Sequence, residues 1–180
     1  MSDTAGQGRT LKRQEVWKGS VGSFGIEQVV LPNGNQATLA VLKHPGAAAV
    51  VPFLDAERIL LLRQYRHAVG GMIWEAPAGK LEPGESPEAC MERELLEETG
   101  FRAARLELLG KILTTPGFSD EVIYLYRASG LARGERRLDA HEVIDVHEMA
   151  LAEALSMVDR GEIIDAKTVA ALFHVARRAT

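Results

Sequence analysis

The chain has 180 residues, 46% of them hydrophobic, with a formal net charge of −4 and a single cysteine, Cys90. That length suits one domain, or one domain with a short extra module, and the apolar content supplies a core without covalent staples. The acidic balance argues against nucleic acid or an anionic membrane as partner, and one cysteine excludes an internal disulfide.

The first residues, Met1 to Gly8, are small and polar, lack the apolar core of a secretory leader, and with Arg9 read as a frayed tail. The longest apolar stretch, Gly46 to Leu54, is too short to span a bilayer, so the cytoplasm is the default compartment. Glu15 to Leu31 is β-like, with Val16, Val21, Ile26, Val29 and Val30 interrupted by glycines. Pro32-Asn33-Gly34-Asn35 is a strong turn, and Thr38 to Lys43 runs back as a strand, which predicts a hairpin. After the break at Pro45-Gly46, Ala47 to Leu54 and Arg58 to Gln64 are apolar runs around Asp55-Ala56-Glu57, a second predicted hairpin. Ser86 to Thr99 reads as a helix, with Ser86 as cap, Pro87 at its first position and Gly100 as terminator. Leu106 to Thr114 and Val122 to Ala128 are strand candidates on either side of Thr115-Pro116-Gly117. A short strand over Val143 to Val146 precedes helices over Met149 to Asp159 and Ala166 to Arg178, the latter capped by Asp165. Strands interspersed with a few helices indicate an α/β or α+β domain with a mixed sheet.

The chemistry is concentrated between Gly79 and Phe101. Gly79 is followed after five residues by Glu85, after seven more by Arg93-Glu94-Leu95, then by Glu97-Glu98 and Gly100-Phe101. On a helix, Glu94, Glu97 and Glu98 fall within an arc of about 100°. Three carboxylates so close repel one another unless a cation sits between them, and an all-oxygen set suits Mg²⁺ or Mn²⁺ better than Zn²⁺. Arg93 can neutralise or orient a neighbouring carboxylate. A glutamate run on a helix is ordinarily only a solvated face. The full spacing argues otherwise: at average usage it matches on the order of 10⁻⁹ per starting point.

The segment matches every fixed position of the Nudix box, and the chain resembles that family. The resemblance implies an α/β/α sandwich with a mixed sheet that hydrolyses a nucleoside diphosphate linked to another moiety. It implies one to three divalent cations, with Glu94 and Glu98 as main ligands, the backbone carbonyl of Ala78 joining them, and Glu97 supporting or activating water. Arg93 would hold a box glutamate in place, and Glu85 would pair within the motif or reach a metal at a distance.

Flanking segments resemble the ADP-ribose pyrophosphatase branch: His44-Pro45-Gly46-Ala47, Arg63-Gln64-Tyr65-Arg66, Trp74-Glu75-Ala76-Pro77-Ala78-Gly79 and Pro116-Gly117-Phe118-Ser119-Asp120-Glu121. The likeness runs from Glu15 to Phe173. It implies a homodimer whose N-terminal strands swap and help build each other's substrate site. The expected organisation is a tail over residues 1–9, an N-terminal antiparallel β segment over 10–45 that dimerises, and a hydrolase domain over 46–180, and the acidic charge leaves no membrane or nucleic-acid partner expected. The likeness implies ADP-ribose as substrate, with another sugar nucleotide such as GDP-mannose as alternative. A Nudix-shaped binding module without catalysis is the rival from another class, and the unbroken box glutamates argue against it.

The expected substrate contacts are Arg66, Glu75, Gly79, Pro116 and Gly117. Arg66 is either a surface arginine or a guanidinium fork for a diphosphate. Glu75, between Trp74 and Ala76 on a strand, needs a partner if buried: Arg66 or a substrate hydroxyl. Trp17, Phe24 and Trp74 are each better explained by packing than by stacking on adenine. One departure from relatives bears on the general base. They commonly carry two acids two positions apart on a late loop; here the loop reads Asp139-Ala140-His141-Glu142, with Ala140 at the partner position. The base is therefore Glu142, or Glu97 on the helix, or Asp139 or His141 after a loop shift. Glu142 is the first choice, as base or ligand.

Overall fold

The computed structural model describes residues 7–138 and 141–178. Asp139 and Ala140 lie outside the described residues, as do residues 1–6 of the expected tail, while Arg9 already opens a strand. The chain forms two compact units. One holds the residues up to Pro45 with Leu113–Glu121; the other holds Gly46–Ile112 and the residues from Val122 onward.

The first unit is an antiparallel meander of β1 (Arg9–Gly19), β2 (Gly22–Val30) and β3 (Gln36–Lys43). The region Glu15–Leu31, expected as one β stretch, is the end of β1 and all of β2, turned at Ser20-Val21. Gly22 makes that turn possible: its φ of 136° is foreign to L-residues, and a Cβ there would lie 2.0 Å from the Lys43 carbonyl oxygen. The predicted turn at residues 32–35 forms, with the Gly34 and Leu31 amides donating to Leu31 and Asn35 carbonyls. The Leu113–Glu121 segment lies along the end of β3, where the Leu42 amide donates to Phe118 O and the His44 amide to Asp120 Oδ1.

The second unit contains β4 (Ala47–Pro52), β5 (Arg58–Arg66), β6 (Gly71–Glu75), β7 (Ala78–Lys80), α1 (Pro87–Thr99), β8 (Phe101–Leu113), β9 (Val122–Arg133), β10 (Ile144–Ala150), α2 (Leu151–Asp159) and α3 (Ala166–Ala176). One sheet has the order β7-β4-β9-β8 and is mixed, β4 running parallel to β9 and antiparallel to β7. The other, β10-β5-β6, is antiparallel.

Strand β4 shows why the unit is layered. All six of its residues are buried, as a continuous apolar run on a central strand should be. Ala47, Ala49 and Val51 join the core containing Ala171, Leu172 and Val175 of α3, while Ala48 and Val50 pack with Cys90, Met91 and Leu95 of α1. Strand β9 alternates likewise, Ile123 and Leu125 to one side, Tyr126 and Ala128 to the other. Period-two side chains thus build the α/β/α sandwich.

Two expectations need correction. The predicted hairpin of residues 47–54 and 58–64 has its turn, held by Leu54 N to Arg58 O and by Asp55 Oδ1 accepting from Glu57 and Arg58 amides. Past the Phe53–Ile59 bridge, however, the two strands enter different sheets, because β4 is claimed on both edges by β7 and β9. Met149 and Ala150, expected to start a helix, instead end β10, where they pair with Ile59 and Arg58. Among the described residues no helix is long and apolar enough to cross a membrane.

Candidate active site

Helix α1 begins and ends where its sequence dictates. Ser86 Oγ accepts from the Ala89 amide, Pro87 occupies the first turn, and Gly100 closes the helix at φ 75°. Cys90, Met91 and Leu95 pin one face to the sheet. The other face carries the acids. Arg93 is their hub: its Nε and Nη2 donate to the two oxygens of Glu85 at 2.9 and 3.0 Å, and its Nη1 to Glu94 Oε1 at 2.7 Å and Glu97 Oε2 at 3.2 Å. Nη2 also reaches the Lys80 carbonyl. These acids raise the already high pKa of Arg93, the Glu85 bond first among them.

Glu98 differs from the others. It is 2% exposed, and among the described residues its carboxylate accepts one hydrogen bond, from the Ala78 amide at 3.0 Å. Burial, then the charge of Glu94, pushes its carboxyl well above the usual range, with Glu142 adding to the push and the Ala78 amide and Arg66 opposing it. Glu94 is also raised, by burial first and by Glu97 and Glu142, against the pull of Arg93. The structure thus puts Glu94 within reach of the charges of Glu97 and Glu142, puts Glu98 within reach of those of Glu94 and Glu142, and lays Ala78 against Glu98.

Gly79 has a sharper constraint than backbone access to a ligand. A Cβ at this position would lie 1.7 Å from Glu94 Oε1 and 1.9 Å from its Cδ. The space a side chain would fill on β7 holds the Glu94 carboxylate.

Among the described residues, no group of three or more acid, thiol or imidazole side chains is arranged to hold a metal ion as it stands. Arg93 engages Glu94 and Glu97, and the Ala78 amide engages Glu98. The residues nevertheless fit a hard divalent cation. Glu98 is buried and Glu94 nearly so; the charge of Glu94 favours protonation of Glu98, and Glu97 and Glu142 favour protonation of Glu94, a strain that a cation beside them relieves.

Beside this face, Arg66 ends β5 and Glu75 ends β6. Arg66 Nε and Nη2 donate to Glu75 Oε1 and Oε2 at 2.7 and 2.9 Å. The structure supplies Arg66 itself as partner for the buried Glu75. Burial favours the neutral acid, but the Arg66 hydrogen bonds and Lys167 outweigh it and hold Glu75 below the usual range. Trp74 is packed against the core, with its ring edge to His147 and Arg63 over its face. Pro116 and Gly117 fold with the first unit, in a turn where Thr115 O accepts from the Phe118 and Ser119 amides.

A model of the NUDIX domain matches residues 43–172. This chain belongs to the Nudix family. It is similar to the methanol dehydrogenase activator of Bacillus methanolicus, with 40% identity over 169 residues, 93% of this chain and 91% of the relative. It is similar to the ADP-ribose pyrophosphatase of Bacillus subtilis (strain 168), with 39% identity over 169 residues and the same coverage, 93% and 91%. A solved structure described as an ADP compounds hydrolase shares the fold, with a TM-score of 0.83 over 98% of this chain and 96% of that one, at 22% identity.

Three groups around the Nudix box escaped the sequence reading. Lys167 donates to Glu75 Oε2 at 2.5 Å and contacts Asp165 at 3.0 Å. Thr168 Oγ1 accepts from the Ala76 amide at 2.7 Å, tying α3 to the backbone just before Ala78. Arg136 donates from Nε to Glu98 O and from Nη2 to Ile144 O, at 2.6 and 2.8 Å, so it joins the end of α1 to the start of β10. The Arg137 and Gly134 amides satisfy two more carbonyls there, those of Glu97 and Gly100. A lysine in the first turn of a helix opposes the macrodipole, a cost that an acid partner offsets.

Proposed function

We propose that this Nudix protein hydrolyses the diphosphate of ADP-ribose, giving AMP and ribose 5-phosphate. The observation that carries the reading is the crowding of Glu94 and the buried Glu98 on one helix face, both carboxyls raised, beside an arginine fork. The name of the Bacillus subtilis relative, an ADP-ribose pyrophosphatase similar along nearly its whole length, points to the substrate.

In this reading Glu94, Glu98 and the Ala78 carbonyl hold the cation, with Glu97 in support. One to three Mg²⁺ or Mn²⁺ ions per site, when bound, neutralise the diphosphate and make an attacking water easier to deprotonate. Arg93 holds Glu94 and Glu97 in place, its Nη1 donating to both. Arg66 presents its remaining N–H groups to the phosphate oxygens and stabilises the charge that builds there. Glu142 or Glu97 accepts the proton of the attacking water. Gly79 keeps the Glu94 carboxylate in place, and Pro116-Gly117 shape a substrate loop.

The same reading makes the protein a homodimer through its first unit. Its support is β1, exposed along nearly its whole length, with apolar Leu11, Val16 and Trp17 among the exposed side chains. Sedimentation at micromolar concentration should show a dimer, and a monomer there would remove this part.

The test is release of the nucleotide product from ADP-ribose, GDP-mannose and a dinucleoside polyphosphate (AMP from the first, GMP from the second), each with Mg²⁺ and with Mn²⁺. ADP-ribose should have the highest kcat/KM. A higher value for GDP-mannose would move the substrate to the alternative, and no turnover of any of them would remove the enzymatic reading.

A further inference from the structure

The carboxylate of Glu75 is 2% exposed and carries two cations where one would neutralise it. Arg66 alone satisfies Glu75 through a two-point fork, and the product is a neutral pair. A neutral pair is a poor receptor for a diphosphate. Lys167 Nζ, on Oε2 of the same carboxylate and 3.0 Å from Asp165 Oδ2, brings a second positive charge that it divides between the two acids, so that less of the Glu75 charge falls on Arg66.

This lysine is costly where it stands. It is the second residue of α3, where the helix dipole disfavours a cation, and its side chain is almost buried, at 13% exposed. The cap of α3 is made without it: Asp165 accepts from the Thr168 amide at 3.0 Å and from Thr168 Oγ1 at 2.6 Å, and Lys167 adds an ion pair to the same Asp165 oxygen at 3.0 Å. Thr168, by taking the Ala76 amide, fixes the backbone next to Glu75 and keeps the carboxylate in register with the ammonium. Of the five N–H groups of Arg66, three have no hydrogen-bond partner among the described residues.

We propose that Lys167 is a positioning residue for substrate binding: it shares the Glu75 carboxylate with Arg66, so that the guanidinium stays fixed in direction and keeps positive charge to spend on the diphosphate. The proposal rests on the assignment of Arg66 to the phosphates. Lys167 acts through Glu75 and Arg66 and does not itself touch substrate.

Lys167→Met keeps the length and removes the charge. It should raise KM for ADP-ribose about tenfold or more, in line with the loss of a charge-assisted interaction, while kcat changes much less. Lys167→Arg, which restores the cation, should recover much of the KM. In the double variant with Arg66→Met, removal of Lys167 should add nothing, because its effect passes through Arg66. Isothermal titration with AMP, measured beside the kinetics, should show the same weakening. A Lys167→Met protein with lowered Tm, unchanged KM and full additivity with Arg66→Met would overturn the proposal and leave Lys167 as a support of the fold. If Lys167→Met does not fold, Lys167→Gln, which keeps a donor without the charge, is read by the same criteria. Should Arg66→Met alone leave KM unchanged, the phosphate assignment fails and the proposal falls with it; loss in Arg66→Met but not in the Lys167 variants fails the proposal alone.

Discussion

Gly79→Ala tests the geometry of the Nudix box with a single methyl group. The new Cβ would lie 1.7 Å from Glu94 Oε1, 1.9 Å from Cδ and 2.5 Å from Cγ. Carbon and oxygen in contact need roughly twice the shortest of these separations, so the carboxylate must move by about 1.5 Å or more. What is struck is the far end of a flexible side chain, while the backbone of α1 stays pinned by Cys90, Met91 and Leu95. The fold should therefore survive, with Tm within a few degrees of the parent. The displaced carboxylate is a main cation ligand in the proposed function, and a misplacement of this size costs on the order of 10²-fold in rate. The assay is kcat as a function of Mg²⁺, with circular dichroism melts on the same samples. The expected result is a rate lower by about 10²-fold and a higher Mg²⁺ requirement, with little change in melting. In a Glu94→Ala background the same substitution should cost almost nothing more, since the colliding group is gone. Parent-like activity and Mg²⁺ dependence in Gly79→Ala would refute the argument, and so would equal additional loss in the Glu94→Ala background.

Glu98→Gln should lower kcat by several orders of magnitude, measured at saturating Mg²⁺, yet stabilise the metal-free protein above neutral pH. The sign follows from its raised carboxyl: the favourable contribution is complete below the unfolded-state pKa and is lost as pH rises through the folded-state value, so melts in EDTA at high pH should favour the glutamine variant. Arg93→Lys keeps the charge but cannot hold Glu85, Glu94 and Glu97 at once; urea unfolding should show a loss of about 1–3 kcal/mol, with activity reduced. For the proton acceptor, Glu142→Gln and Glu97→Gln are compared by Mg²⁺ titration. A strong kcat loss at unchanged Mg²⁺ requirement marks the base, a raised requirement marks a ligand, and equal minor losses in both would remove each from the role.

The helix of the box was fully legible because its determinants are local. Ser86, Pro87 and Gly100 act within one turn of the ends they define, and the acid spacing is fixed by the helical period. Strand partners were less legible. The apolar runs at 47–54 and 58–64 look like a hairpin from either side of Asp55, and nothing local says that β4 will be taken by β7 and β9. The three-residue β7 carries no periodic signal of its own, although it supplies both the amide on Glu98 and the gap for Glu94. Gly79 stands out in the sequence as part of a spacing, whereas the carboxylate it makes room for lies 15 positions on and is brought there by the packing of α1 against β7. Lys167 stands 92 residues from Glu75, in a helix read for its cap rather than its first-turn charge.

The contrast between Glu75 and Glu98 shows how the domain separates scaffold from chemistry. Both glutamates are 2% exposed, and both adjoin the short segment from Ala76 to Ala78. Glu75 is given two cations, and its carboxyl is held below the usual range. Glu98 is given one neutral amide and two acidic neighbours in Glu94 and Glu142, and its carboxyl is driven up. A buried charge left so poorly compensated destabilises the fold, and replacing it with a neutral isostere would relieve that cost. The same deficit is what a divalent cation can satisfy. Glu75 is complete within the protein and can serve as a fixed support, whereas Glu98 is incomplete without something positive beside it. Arg66 connects the two: it is locked to Glu75 by two hydrogen bonds and feels the charge of Glu98. An anion held between a cation on the carboxylate face and the arginine would meet both halves of the arrangement at once, and that is the place of the diphosphate in the proposed function.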